Sequence, residues 1–232
     1  MIGELSTFSS DAYLTHHWPF DNGQLTDVIG GATMTQGLPG TSFTTDRFGN
    51  ANCALNLNNG YTNVPAGYYF STPQYSVSVW IHPASSIGQW SRLLDFTSAL
   101  GQKNDEFGII LNQGSPGNNP SFQITTTSGS TNNVALHSTK AFTLSKWQLL
   151  VMTYDSTGLK AYINGSLLSL SGTLTYTPYR VLRSFNYVGK SCSSSDPYTL
   201  SYLDDLKFYN ISLTSAQIME LVNEVATTSE KK

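Results

Sequence analysis

The stretch from Trp147 to Leu168, WQLLVMTYDSTGLKAYINGSLL, leaves few choices of fold. Trp147, Leu149, Val151 and Thr153 alternate with Gln148, Leu150, Met152 and Tyr154, so an extended chain carries apolar groups on both sides. Such a strand needs cover on both faces, which places it inside a layered sandwich rather than at a wet edge. Asp155-Ser156-Thr157-Gly158 reads as a turn, opened by an aspartate and closed by a permissive glycine. Leu159 to Ile163 is the return strand. Asn164-Gly165 then closes a second hairpin, because both central residues of that tight turn need positive φ.

The rest of the chain agrees with a β reading. Tyr75 to Pro83, YSVSVWIHP, puts Tyr75, Val77, Val79 and Ile81 on one face and Ser76, Ser78, Trp80 and His82 on the other. The small serines beside Trp80 imply a second packed face. Only 12% of the 232 residues are charged, while Tyr, Thr, Ser, Asn and Gly are abundant, which suits strands joined by polar turns. A chain this long buries roughly 70% of its surface on folding, so neither a metal nor a disulfide is required. The net charge of −3 and the lack of a basic cluster argue against nucleic acid or an anionic membrane as partner. No apolar run approaches the ~20 residues of a membrane span. Met1-Ile2-Gly3-Glu4 does not open a signal peptide, so a secreted chain would have lost its leader or been cut from a longer one.

Three further stretches carry a resemblance. The first is Trp18-Pro19-Phe20-Asp21-Asn22-Gly23, followed by Leu25, Thr26 and Asp27. The second is Asp46-Arg47-Phe48-Gly49-Asn50, followed by the Ala54-Leu55 strand. The third is Tyr202 to Tyr209, YLDDLKFY, then a helix opened by Thr214-Ser215-Ala216-Gln217 in capping-box spacing, with Ile218, Leu221 and Val222 on one side. Together with the Tyr-Ile-Asn-Gly hairpin these resemble the laminin-G-like, concanavalin A-like jelly roll from Trp18 to Val222. The resemblance implies an all-β fold: a two-sheet antiparallel jelly-roll sandwich, with a short C-terminal helix. Residues 1–10 are expected to be leader or linker, 11–225 the domain and 226–232 linker or tail.

For chemistry, three possibilities follow. Glucanases of this architecture carry carboxylates alternating along one strand as Glu-x-Asp-x-Glu, and no such run exists here. Asp204 and Asp205 are neighbours on a strand and so should face opposite ways. Asp105 and Glu106 fall in a turn. Catalysis is therefore not expected. Calcium, a cofactor that relatives often hold where the first strand meets the last, would fall to Asp21, Asn22, Asp27 and Asp204. The competing role for these residues is to cap turns and bond backbone amides. A sugar site would stack aromatics framed by amides and carboxylates in rim loops, with Tyr68, Tyr69, Trp90, Asn104, Asp105, Asp196 and Tyr198 as candidates and core packing as their alternative. His16 and His17, pointing apart, are poor metal ligands. Cys53 and Cys192 are read as one disulfide of an oxidising compartment, the alternative being two buried thiols. Asn164-Gly-Ser and Asn210-Ile-Ser are glycosylation sequons. The resulting expectation is an extracellular or cell-surface recognition and adhesion module within a longer chain, binding a glycan or a protein. A ligand-free assembly module and a β-glucan hydrolase are the alternatives.

Overall fold

The computed structural model describes residues 10–100, 105–114, 117–125, 133–174 and 180–225. Among them the strands run in chain order β1 (Leu14–Trp18), β2 (Thr35–Gln36), β3 (Ser42–Thr44), β4 (Ala54–Asn58), β5 (Thr62–Val64), β6 (Tyr75–Pro83), β7 (Arg92–Thr97) and β8 (Phe107–Ile110). They continue as β9 (Ser121–Thr125), β10 (Asn133–His137), β11 (Gln148–Asp155), β12 (Gly158–Ile163), β13 (Ser166–Leu167), β14 (Phe185–Val188) and β15 (Leu200–Tyr209). One helix, α1 (Ser215–Val222), follows. The strands form two antiparallel sheets. One has the order β13-β12-β11-β6-β15-β4-β3, with β1 also paired to β15, and the other β10-β9-β8-β7-β14-β5-β2. The first strand thus closes beside the last.

The doubly apolar β11 sits as its pattern requires. Leu150, Met152 and Tyr154 point between the sheets into the main core, with Val77, Val79 and Ile81 of β6. Leu149 and Val151 point outward into a second cluster, where Ile218 and Leu221 of α1 cover them. Burying each of those two helix side chains contributes about 2 kcal/mol. The helix begins with a capping box: Thr214 accepts the Gln217 amide, and the Gln217 side chain accepts the Thr214 amide. At the hairpin tip Asn164 and Gly165 have φ of 50° and 75°. A Cβ at Gly165 would run into Met219 of the helix, so the glycine also permits docking.

The outer face of the first sheet divides along two neighbouring rows. Leu149, Trp80 and Asp204 are cross-strand partners in the covered row. In the next row Ser42, Asn56, Tyr202 and His82 are partners across β3, β4, β15 and β6, and among the described residues no helix packs on them.

Strand β15 changes neighbours midway. Its first half pairs with β4 and its second with β1, and the register against β6 shifts between Asp204 and Lys207. Asp205 has φ of 50° at this bulge. The bulge breaks the alternation expected of neighbouring residues. Asp204 and Asp205 therefore do not face apart: both meet Arg47, Asp204 at Nη1 and Asp205 at Nη2, the latter at 2.8 Å. Arg47 reaches them from the turn that Asp46 organises by accepting the amides of Phe48 and Asn50.

Candidate functional site

Three of the predicted ligand residues meet at one rim of the second sheet, where β7 begins and β14 ends. Trp90 lies in the loop before β7, 37% exposed and at φ of 68°. Asp196 and Tyr198 lie in the loop after β14. That loop is tied by Ser191 Oγ donating to Asp196 Oδ2 (2.8 Å) and by Cys192 N–H donating to Asp95 Oδ2 (2.9 Å). Tyr198 stacks flat on Tyr61, with centroids 5.7 Å apart, and Tyr61 meets Tyr187 edge-on. Lys190 Nζ lies 4.5 Å and 4.6 Å from the Tyr61 and Tyr187 rings, a cation–π contact with both. Tyr61, Tyr187 and Lys190 carry no sequence signal of their own; only the pairing of β5 with β14 joins them.

Beneath this rim lies a buried charged cluster. Arg92 Nε is 3.5 Å from Asp95 and 3.8 Å from Glu106, and Nη2 is 3.6 Å from Asp196. Asp95 pairs with Gly108 of β8, which pairs with Gln123 of β9, so these positions share one row of the outer face. A side chain at Gly108 would crowd Glu106 Oε1, and glycine leaves that carboxylate its room. Burial pushes the Asp95 carboxyl up, and the Cys192 amide and Arg92 only partly offset it. Burial, with Asp95 and Glu106 nearby, pushes the Cys192 thiol up to about 12. Arg92 Nε, Asp95 Oδ1 and Gln123 Oε1 are buried and have no hydrogen-bond partner among the described residues. Two carboxyls therefore do converge here, from adjacent strands, which a search along one strand cannot find. They flank a common arginine and neither has exposed surface. A substrate ring does not fit between them as they stand, since a glycosidase acid pair must reach the sugar from either side.

The other predicted ligand residues serve the fold. Tyr69 is buried against Phe70, Phe96 and Phe208, with its hydroxyl donating to Pro65 O (3.0 Å). Asp105 is buried and accepts Ser98 Oγ (2.7 Å). Arg183, wholly buried, donates to the Asp105 and Tyr69 carbonyls and staples this end of the sandwich; burial lowers its pKa to about 10. Tyr68 remains exposed beside Arg180. Asn104 lies outside the described residues.

The four calcium candidates do not form one coordination shell. Asp27 Oδ1 accepts the amides of His17, Ile29 and Gly30, and Oδ2 accepts that of Ala32 and lies 2.7 Å from His16 Nδ1. Burial raises the Asp27 pKa, but these bonds outweigh it and bring it to about 2. Asp204 is paired with Arg47. Asp21 and Asn22 lie in a single turn after β1, and Asp21 lines a cleft of about 600 Å³ with His17, Arg47, Asp205, Lys207 and Glu224, whose cations oppose a divalent ion. Among the described residues no group of three or more His, Cys, Asp or Glu is placed to hold a metal. The donor set does not fit calcium.

Cys53 and Cys192 are not joined by a disulfide, which corrects the expected pairing. Cys53 precedes β4 in one sheet and bonds Ala51 O, whereas Cys192 follows β14 in the other. Both sequon asparagines are exposed. Asn164 Oδ1 accepts the Leu149 amide (2.8 Å), which fixes its side chain at the hairpin tip.

A two-sheet antiparallel sandwich with binding-type residues at its rim defines a lectin-like β module. Residues 56–219 match the Laminin_G_3 model of the concanavalin A-like lectin/glucanases superfamily, and the chain belongs to that superfamily. No curated protein matches the sequence. Among solved structures, the chain is similar to domain 4 of a GH43 extracellular arabinanase from Geobacillus stearothermophilus, in complex with arabinotriose. The identity is 24%, the TM-score 0.73, and the match covers 91% of this chain and 98% of that one. It is also similar to the binding domain of Paraclostridial mosquitocidal protein 1 (14% identity, TM-score 0.68, 93% of this chain and 53% of that one). The receptor binding domain of botulinum neurotoxin mosaic serotype C/D is a further likeness (13% identity, TM-score 0.63, 92% and 51%). This chain thus spans about half of each toxin fragment. At these identities the likenesses show the fold.

Proposed function

We propose that the chain is a non-catalytic recognition module that binds a glycan at the Trp90–Asp196–Tyr198 rim, as part of a larger secreted or cell-surface protein. The supporting observation is the convergence there of an exposed indole, a stacked tyrosine pair and the half-buried carboxylate of Asp196. Flat rings take the C–H faces of a sugar, and the half-buried Asp196 carboxylate accepts from its hydroxyls. The arabinanase domain seen with arabinotriose supports a sugar as the ligand class, and its extracellular parent supports the location. Occupied glycans at Asn164 and Asn210 are part of the same reading.

A glycan array run with and without chelator tests it. Binding that survives EDTA and is lost in Trp90→Ala supports the reading. Binding only to a neighbouring polypeptide would replace it with an assembly role. Release of sugar from a β-glucan, lost in Asp95→Asn or Glu106→Gln, would replace it with hydrolysis.

A further inference from the structure

We infer that the bare half of the first sheet's outer face is a second binding platform, for a neutral polysaccharide chain. Trp147, immediately before β11, meets His82 edge-on with centroids 5.5 Å apart. His82 stacks on Tyr202 at 5.2 Å and 17°. Tyr202 pairs across the sheet with Asn56, whose amide donates to Ser42 Oγ (3.0 Å). The row therefore crosses β11, β6, β15, β4 and β3, a span of about 19 Å at ~4.8 Å between strands. It alternates from rings at one end to amide and hydroxyl at the other. Tyr202 keeps 37% of its surface exposed.

The occupant follows from charge. A groove of about 350 Å³ runs beside the row, lined by Asn56, Asn58, His82, Ser85, Ser145 and Tyr202 among others, and no Asp, Glu, Lys or Arg lines it. The cleft on the same sheet near Arg47 is lined by six such groups, namely Asp11, Asp21, Arg47, Asp205, Lys207 and Glu224. A surface with rings, amides and hydroxyls and without charge suits a ligand that is itself uncharged, offers C–H faces and many hydroxyls, and is long enough to cross several strands. A neutral polysaccharide has those properties. An acidic glycan or a basic peptide would find no counter-charge. The platform is built on the first sheet and the Trp90 rim on loops of the second, from different residues, so separate substitutions test the two readings.

Affinity electrophoresis in gels containing arabinan, xylan or mixed-linkage β-glucan tests the platform. The expected result is retardation in at least one gel that weakens about tenfold in Tyr202→Ala and in Trp147→Ala, the loss of one ring contact. Tyr202→Phe, which keeps the ring, should retain most of it, and the same losses from Tyr202→Ala and Trp147→Ala should appear in a Trp90→Ala background, where the rim is disabled. Both alanine sites are at least partly exposed, and an unchanged thermal unfolding midpoint verifies the fold. No retardation in any of the three gels would overturn the platform. So would retardation that survives both alanine variants, or that only Trp90→Ala removes.

Discussion

Arg47 and Arg92 each lie on an outer face of the sandwich among carboxylates, yet they are held in different ways. Arg47 donates directly to Asp204 and Asp205, reaches Glu224 at 3.2 Å, and is sandwiched by the Phe48 and Trp80 rings at 4.3 Å and 4.8 Å. Burial alone would lower its pKa, but the three carboxylates raise it on balance. Among the described residues the nearest carboxylate to Arg92 is 3.5 Å away, and its direct bond is to the Trp90 carbonyl at 3.2 Å. The first arrangement is a latch: it joins the β3–β4 turn, the β15 bulge and the end of α1. The second leaves buried polar atoms short of partners beneath a rim of rings, which costs stability.

The largest expected effect separates the two. Arg47→Met leaves Asp204 buried without its cation and should cost about 3–5 kcal/mol, read as a lower unfolding midpoint, with glycan binding at the rim unchanged. Arg92→Met should cost less, about 2 kcal/mol, because Asp95 can take up a proton instead, and should abolish rim binding. If Arg92→Met proved the more destabilising and left binding intact, the latch and the site would have been assigned the wrong way round.

The difference between these clusters also marks what could be read from the sequence. Alternation along β11 is local, so both of its buried faces, the Asn164-Gly165 turn and the Thr214 capping box were legible. Trp90, Asp196 and Tyr198 were named as rim candidates because aromatic and acidic loop residues attract attention one at a time. Glu106 reads in the sequence only as part of a turn, and its approach to Asp95 has no local signal because only strand pairing brings both to Arg92. Asp205 was misread because a bulge that turns it toward Arg47 has no signature in YLDDLKFY. Tyr69 looked like its exposed neighbour Tyr68; which of the two enters the core is decided by Phe96 and Phe208, far away in the chain.

Acid should act on the clusters with opposite sign. Asp205 lies lowered: burial raises it, but His17, Lys207 and Arg47 prevail. A depressed carboxyl contributes its stability above its unfolded value of about 4 and loses it as the pH falls further. The same holds for Asp27, whose contribution of about 2 kcal/mol should drain between about pH 4 and pH 2. Asp95 is raised, so its contribution is present at low pH and is lost as the pH rises through the raised value. Thus Asp205→Asn should be most damaging at pH 7 and clearly less so at pH 2. Asp95→Asn should compare better with the parent protein at pH 7 than at pH 4. Unfolding curves for both variants at these pH values measure it, and parallel responses would remove the distinction.

The smallest effect probes the charge around Arg92 from the thiol beside it. A Cys192 pKa of about 12 leaves roughly one thiolate in ten thousand at pH 8, so a disulfide reagent should modify the folded protein very slowly. Burial is the first cause of that shift and the Asp95 charge the second. Asp95→Asn removes the second and keeps the first, so modification of Cys192 should quicken by several-fold without reaching the rate of an open thiol. A rate unchanged by Asp95→Asn would mean that the carboxylate is already protonated at pH 8 or that it does not act on the sulfur. Either outcome would contradict a loosely balanced Arg92–Asp95 pair and would make the second sheet's cluster as settled as the latch on the first.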